Sequence, residues 1–313
     1  MVYYTNKIDL TEKKKFAAIL GANPSEGARS PKLWNAAFKA HGIDSVMHPM
    51  DVNNDNLVNL LEVLDGDVDF IGGAIAVPHK ESVASWLKQK GKEYITKEAD
   101  SIGAVNTLFR TKSGHLCGTN TDGEGALESL KVVKNNIAGS NVLLIGPGGA
   151  GKAVAAYLAK EIGDTGTLTL SVRDKKRIED FSTSINAKVI SWPLQSEILK
   201  KFDIIVNCSI LGSKQKGIIN GEEVLMELYS PITGECDEFK YLSVLDSSAV
   251  LFDIIYDPMP TKLLKHASSI DLVSLDGGPM NLEQAVIAFG YAVNEIKGRN
   301  VTRISMEKAK SSL

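Results

Sequence analysis

The stretch NVLLIGPGGAGKA (141–153) decides the fold. Its first half, NVLLIG (141–146), is a continuous run of β-branched residues and leucine, as a strand buried on both faces requires. GPGGAGKA (146–153) then fits two phosphate-binding patterns. Read as G-x-G-x-x-G, it places Gly146, Gly148 and Gly151 as a dinucleotide fingerprint. Read as G-x-x-x-x-G-K-[ST], it is a triphosphate loop that fails at Ala153, where a hydroxyl should bind Mg²⁺. The alanine-rich AGKAVAAYLAKEI (150–162) continues as a helix under either reading. A dinucleotide site also needs a second strand about twenty residues on, ending in a residue that reads the ribose. TLTLSVRD (167–174) is that strand, with Arg173 and Asp174 at its end. The dinucleotide reading is therefore favoured, with the triphosphate loop as the alternative. In that reading Gly146, Gly148, Gly149, Ala150 and Gly151 bring backbone N–H groups and a helix N-terminus to the phosphates. Lys152 reads as a solvated helix lysine.

The pattern extends outward as an α/β alternation. AKVISW (187–192), DIIVNC (203–208), VLFDIIY (250–256) and DLVSL (271–275) read as strands, with LQSEILKKF and a segment from Thr261 as helices. Short connections between them predict a doubly wound parallel sheet. Between Ile210 and Ser248 the pattern weakens, and the segment reads as a long loop with a helix around EEVLMEL.

The N-terminal third alternates separately. KKFAAILG (14–21) reads as a strand and SPKLWNAAFKAHG (30–42) as a helix, with Ser30 as N-cap, Pro31 in the first turn and Gly42 as stop. DSVMHPMDV, a helix at DNLVNLLEVL and the strand VDFIGGAIAV follow. GAVNTLFR (103–110) and HLCGTN (115–120), joined by TKSG, read as a hairpin, so this sheet is mixed.

Composition narrows the partners. At 313 residues two domains are expected. A net charge of −3 without a lysine stripe argues against nucleic acid. No apolar run reaches a membrane span, and the polar start MVYYTNKIDLTEKKK does not read as a signal peptide. Cys117, Cys208 and Cys236 show no C-x-x-C spacing and read as free thiols in a reducing cytoplasm. No His, Cys and carboxylate cluster has zinc spacing, so no metal is expected. His79 is assigned no role, and His41, His48, His115 and His266 read as surface or loop residues.

Six segments in order then resemble the shikimate dehydrogenases and their quinate dehydrogenase relatives. They are AVPHK (76–80), SIGAVNTL (101–108) with GTNTDGEG (118–125), GPGGAGKA, VNCSILG (206–212), FDIIYDPMPTKLL (252–264) and GGPMNLEQAVIAF (277–289). The resemblance covers the chain from about Gly21 to Tyr291. It implies a discontinuous substrate-binding and catalytic domain (1–122 plus 276–313) and an NAD(P)-binding, Rossmann-type domain (123–275), with the active site in the cleft between them. Lys80 matches the catalytic lysine and Asp122 its partner aspartate. Asn106 and Gln284 match positions that hydrogen-bond ring hydroxyls, and Tyr256 a tyrosine lining the cleft. Asn207 and Ser209 fall on the cofactor side. The chemistry fits, because oxidising a secondary alcohol sends a hydride to a nicotinamide and a proton to a base. A lysine amine accepts that proton and a nearby carboxylate orients it. Read without the resemblance, Lys80 opens a surface helix and Asp122 caps the helix from Gly123.

The departures bear on substrate. The family's S-x-S-P is GARSP here, leaving Ser30 with Ala28 in place of the first serine. N-V-T-x-P is AIAVP, so Ala74 and Ala76 replace an asparagine and a threonine on one strand face. N-R-T after the second strand is VRD, where Arg173 favours NADP and Asp174 favours NAD. The expectation is a cytoplasmic NADP-dependent (NAD possible) oxidoreductase acting on a cyclic hydroxy acid, as monomer or homodimer. The alternative is an inactive dinucleotide-binding regulatory relative.

Overall fold

The structure is a computed structural model and describes residues 3–8, 15–219, 222–227, 230–234, 239–294 and 298–311. The chain forms two compact units, Met1–Thr121 with Leu282–Leu313, and Asp122–Asn281.

The first unit opens with β1 (Lys15–Gly21), α1 (Ser30–Ala40), β2 (Ser45–Asp51), α2 (Asn54–Gly66), β3 (Phe70–Ile75), α3 (Lys80–Lys90) and α4 (Lys97–Ile102). The hairpin β4 (Thr107–Arg110) and β5 (Leu116–Thr119) completes a sheet of order β2-β1-β3-β4-β5. β1 runs parallel to β2 and β3, whereas β4 is antiparallel to both its neighbours, so the sheet is mixed. The two-residue period of β1 serves two cores. Phe16, Ala18 and Leu20 pack with Leu57, Leu61 and Leu87 of α2 and α3. Ala17 and Ile19 face Trp34 and Phe38 of α1, joined by Leu282, Val286 and Phe289. Trp34 meets Phe289 edge-on, 5.4 Å between centroids.

The second unit contains α5 (Asp122–Val133), β6 (Asn141–Ile145), α6 (Gly149–Ile162), β7 (Thr167–Val172), α7 (Glu179–Ser184), β8 (Lys188–Ser191), α8 (Ser196–Leu199) and β9 (Ile204–Asn207). Then come β10 (Lys214–Ile219), β11 (Glu222–Glu227), α9 (Phe239–Leu242), β12 (Val250–Asp253), α10 (Lys262–Ser269), β13 (Val273–Leu275) and the start of α11 (Gly277–Ala292). α12 (Arg299–Lys310) belongs to the first unit. The large sheet has order β13-β12-β9-β6-β7-β8, all parallel. Counted from β6, this is the doubly wound 6-5-4-1-2-3 arrangement, whose strand order reverses between β6 and β9. Val142 and Leu144 pack under α5 and α6, while Leu143 and Ile145 face Leu199, Leu263 and Leu264.

Several sequence expectations are corrected. EEVLMEL is not helical over its described residues: β11 pairs antiparallel with β10, Lys214 opposite Glu227 through Ile219 opposite Glu222. Glu, Leu and Met favour helix locally, and cross-strand pairing overrides that preference. Leu228 and Cys236 lie outside the described residues. Ser30 is no N-cap, because Arg29 already has helical dihedrals (φ −76°, ψ −27°) and occupies that position. A cap residue needs an extended backbone to turn its side chain onto the first N–H groups. His48 lies within β2, and His79 directly precedes α3 with 1% exposure. α5 begins at Asp122, one residue earlier than a cap there would imply. Cys117 and Cys208 are free thiols, and no described helix is long and apolar enough to cross a membrane.

Candidate active site

In the first unit the candidate residues converge through the backbone around β3 and β4. Lys80 is the first residue of α3, and its carbonyl accepts from Val105 N at 2.9 Å. Ile75 N donates to Asn106 O (2.7 Å), and Asn106 N donates to Thr119 O (3.1 Å). The AVPHK and GAVNT segments are thus laced together, with His79 as an anchor beneath. Its Nε2 lies 2.8 Å from the Val52 carbonyl, which fixes that nitrogen as the donor.

Asn106 is 3% exposed. Its Oδ1 accepts from Thr121 N and Thr107 Oγ1, both at 2.8 Å, and its Nδ2 donates to Thr121 Oγ1 at 3.1 Å. Thr121 Oγ1 in turn donates to the Gln284 carbonyl at 3.1 Å, with Gln284 Oε1 at 3.5 Å. Asn106 and Gln284 are therefore brought together by Thr121, which bonds Gln284 across 163 residues and which sequence reasoning did not single out. The signal was present in GTNTDGEG, whose second threonine is the bridge. Ser30 stands partly buried at the head of α1. Ala28, Ala74 and Ala76 all pack against the Trp34 and Phe289 core, so three small apolar side chains share one region.

In the second unit the glycine turn sits where the strand order reverses. Gly146 has φ +78°, and a Cβ there would lie 2.6 Å from Ser209 Cβ beyond the end of β9. A Cβ on Gly151 would collide with the Gly146 carbonyl. Both positions need glycine so that turn, helix and neighbouring strand can approach. At Gly148 a Cβ would meet nothing within 4 Å. That glycine precedes α6 in extended conformation without a side-chain cap. A glycine turn that opens a helix N-terminus suits a pyrophosphate.

Asn207 is fully buried and does structural work there. Its Oδ1 accepts from Ser209 N (3.0 Å) and Ser209 Oγ (2.7 Å), and its Nδ2 donates to Leu211 O and Asp253 Oδ1. Asp253 also accepts from Thr261 Oγ1 (2.8 Å) and Ile255 N (3.1 Å). Burial nonetheless pushes its carboxyl up to about 6. Burial likewise raises the Cys208 thiol well above its usual range, with the Asp253 and Asp122 carboxylates adding to it. This thiol stays protonated and unreactive. Arg173 and Asp174 are exposed just beyond β7, Tyr256 is 42% exposed, and Asp122 is 5% exposed at the start of α5.

Residues 20–108 match the shikimate dehydrogenase substrate binding domain. The chain is 32% identical to the shikimate dehydrogenase (NADP(+)) of Bacillus subtilis over 279 residues, 88% of this chain and 90% of that one. It is 31% identical to the enzyme of the same name from Microcystis aeruginosa, again over 88% of this chain and 90% of the relative. The crystal structure of shikimate dehydrogenase from Aquifex aeolicus superimposes with a TM-score of 0.75 at 27% identity, covering 96% of this chain and 99% of that one. With AVPHK directly after β3 of a mixed sheet and the glycine turn after β6 of a doubly wound one, this chain belongs to the shikimate dehydrogenase family.

Proposed function

We propose that this protein is an NADP-dependent oxidoreductase that interconverts a secondary alcohol of a cyclic hydroxy acid and the corresponding ketone. The observation that carries this reading is the glycine cradle at the strand-order reversal, in a chain that keeps both Lys80 and Asp122. The relatives' names as NADP(+) enzymes support the cofactor, and Arg173 supplies a guanidinium suited to a 2′-phosphate. Gly149, Ala150 and Gly151 would hold the pyrophosphate through backbone N–H groups, Gly148 would let it approach the backbone, and Asn207 and Ser209 shape the turn beside it. The nicotinamide, when bound, supplies a hydride acceptor.

The chain's own residues handle the proton and the substrate. The Lys80 amine takes the hydroxyl proton as the alcohol is oxidised and returns it in the reverse direction. Asp122 orients that exchange. Asn106, held by Thr121 and Thr107, and Gln284 face ring hydroxyls from fixed positions. Ser30 binds the carboxylate, and Tyr256 contacts the ring. Pre-set hydrogen bonds favour such roles because little ordering remains to be done on binding.

The substrate differs from shikimate on one face. Ala28, Ala74 and Ala76 stand where the family pattern has serine, asparagine and threonine, and they lie against an apolar core. The preferred substrate is less hydroxylated, or carries a different substituent, on the side meeting Ala74 and Ala76. The test is a panel of cyclic hydroxy acids, shikimate and quinate included, assayed for reduction of NADP⁺ and NAD⁺. Turnover of one member with NADP⁺ is expected. An absence of reduction with any acid and either cofactor would favour a non-catalytic dinucleotide-binding protein instead.

A further inference from the structure

Residues 230–234, between β11 and α9, form a turn that reaches the end of the ribose-reading strand. β7 and β8 are parallel, with Ser171 opposite Ile190 and Val172 opposite Ser191. Arg173 and Trp192 follow the last of these pairs, and Trp192 N donates to the Val172 carbonyl at 2.8 Å. The Arg173 guanidinium carbon lies 5.5 Å from the indole centroid. That distance is within the range for cation–π attraction, for which tryptophan is the most favourable ring.

Trp192 is itself held in place. Its Nε1 donates to the Pro231 carbonyl at 2.6 Å, and Leu194 N donates to the Ile232 carbonyl at 2.9 Å. Ile232 is fully buried in the core of the second unit. Ser230 Oγ accepts from Ile232 N and Thr233 N, each at 3.1 Å, and Gly234 N returns to the Ser230 carbonyl. A Cβ on Gly234 would lie 3.0 Å from Trp192 Cη2, so the turn packs against the indole. The neighbouring acid is also engaged: Asp174 Oδ1 accepts from Lys176 N at 3.0 Å, which ties it into its own turn.

We infer that Trp192 is a positioning residue for cofactor selection: the 230–234 turn fixes the indole, and the indole fixes Arg173 for the 2′-phosphate of NADP. This rests on the NADP reading given above. An exposed arginine loses rotamer freedom when it binds a phosphate, and stacking it beforehand removes part of that cost. The effect falls on the nucleotide that carries the 2′-phosphate and spares the one that does not.

The experiment is titration calorimetry of the full chain with NADP⁺ and with NAD⁺, for Arg173→Ala, Trp192→Leu, Trp192→Phe and the Arg173→Ala/Trp192→Leu double variant. Trp192→Leu is expected to weaken NADP⁺ by about three- to tenfold, with NAD⁺ changed less than about twofold. In the Arg173→Ala background the tryptophan change should add nothing, because the residue it acts through is gone. Trp192→Phe keeps an aromatic plane, serves if the leucine variant does not fold, and should show a smaller loss, again confined to NADP⁺. Equal weakening of both nucleotides, or full additivity with Arg173→Ala, would overturn the inference. If Arg173→Ala discriminates between the nucleotides and the Trp192 variants do not, the relay fails and the cofactor reading stands. If Arg173→Ala itself weakens both alike, it is the 2′-phosphate reading that fails.

Discussion

Replacing Gly148 with alanine separates binding from folding. The residue is extended (φ −79°, ψ −160°), a region open to alanine, and the added Cβ would meet nothing within 4 Å. The free protein should therefore tolerate the change. Reduced freedom in the unfolded chain stabilises such variants by about 0.4–1 kcal/mol, so the melting temperature should hold or rise slightly. The empty space is where a pyrophosphate must approach the backbone, and a methyl group there holds it off. Loss of one charge-assisted hydrogen bond at about 1.5–3 kcal/mol corresponds to roughly 10- to 100-fold weaker NADP⁺ binding. Gly146→Ala provides the contrast. Its left-handed φ of +78° costs about 1–2 kcal/mol for alanine, and Ser209 Cβ stands only 2.6 Å from the new atom. That variant should lose stability before any nucleotide is added. The assay pairs thermal unfolding of the free protein with calorimetric titration of NADP⁺. An NADP⁺ affinity within about twofold of wild type in a folded Gly148→Ala protein would refute the cradle.

Asp253 gives a pH dependence with a definite sign. Its carboxyl is raised to about 6 by burial, from an ordinary value of 3.8, so its contribution to stability is complete below about pH 4 and is lost as pH rises through 6. The stability difference between wild type and Asp253→Asn should fall by up to about 3 kcal/mol between pH 4 and 7, and a flat difference in denaturant titrations would remove this account. Restoring the family pattern with Ala28→Ser, Ala74→Asn and Ala76→Thr should raise kcat/KM on shikimate by at least about tenfold. Efficient wild-type turnover that the triple variant fails to improve would sink the substrate proposal. Thr121→Val leaves Asn106 and Gln284 without their bridge, and should raise KM several-fold with Thr121→Ser restoring most of it. An unchanged KM in Thr121→Val would detach that bridge from substrate binding.

Much of this architecture was legible because burial writes a simple pattern. VLLI, TLTLSV and DIIVN are central strands covered on both faces, and runs of that kind have few other uses. The glycine turn was legible for the same reason, since three positions there are governed by close approach or open space alone. The β10–β11 hairpin was not, because its pairing is decided between strands and its residues favour helix. The Ser30 cap failed on a dihedral angle at Arg29 that no residue pattern records. The roles of Thr121 and Trp192 depend on partners 163 and 39 residues away. Side-chain bonds at that separation become visible only in the fold.

In the function proposed above, Lys80 carries the proton for a hydride transfer to NADP⁺. Its most direct test is the rate of NADP⁺ reduction by wild type and Lys80→Ala on the preferred hydroxy acid, with NADP⁺ affinity measured beside it. The expected result is a loss of about 10²- to 10⁴-fold in kcat with cofactor binding within about twofold of wild type. A Lys80→Ala enzyme that keeps more than about half the wild-type rate would contradict it.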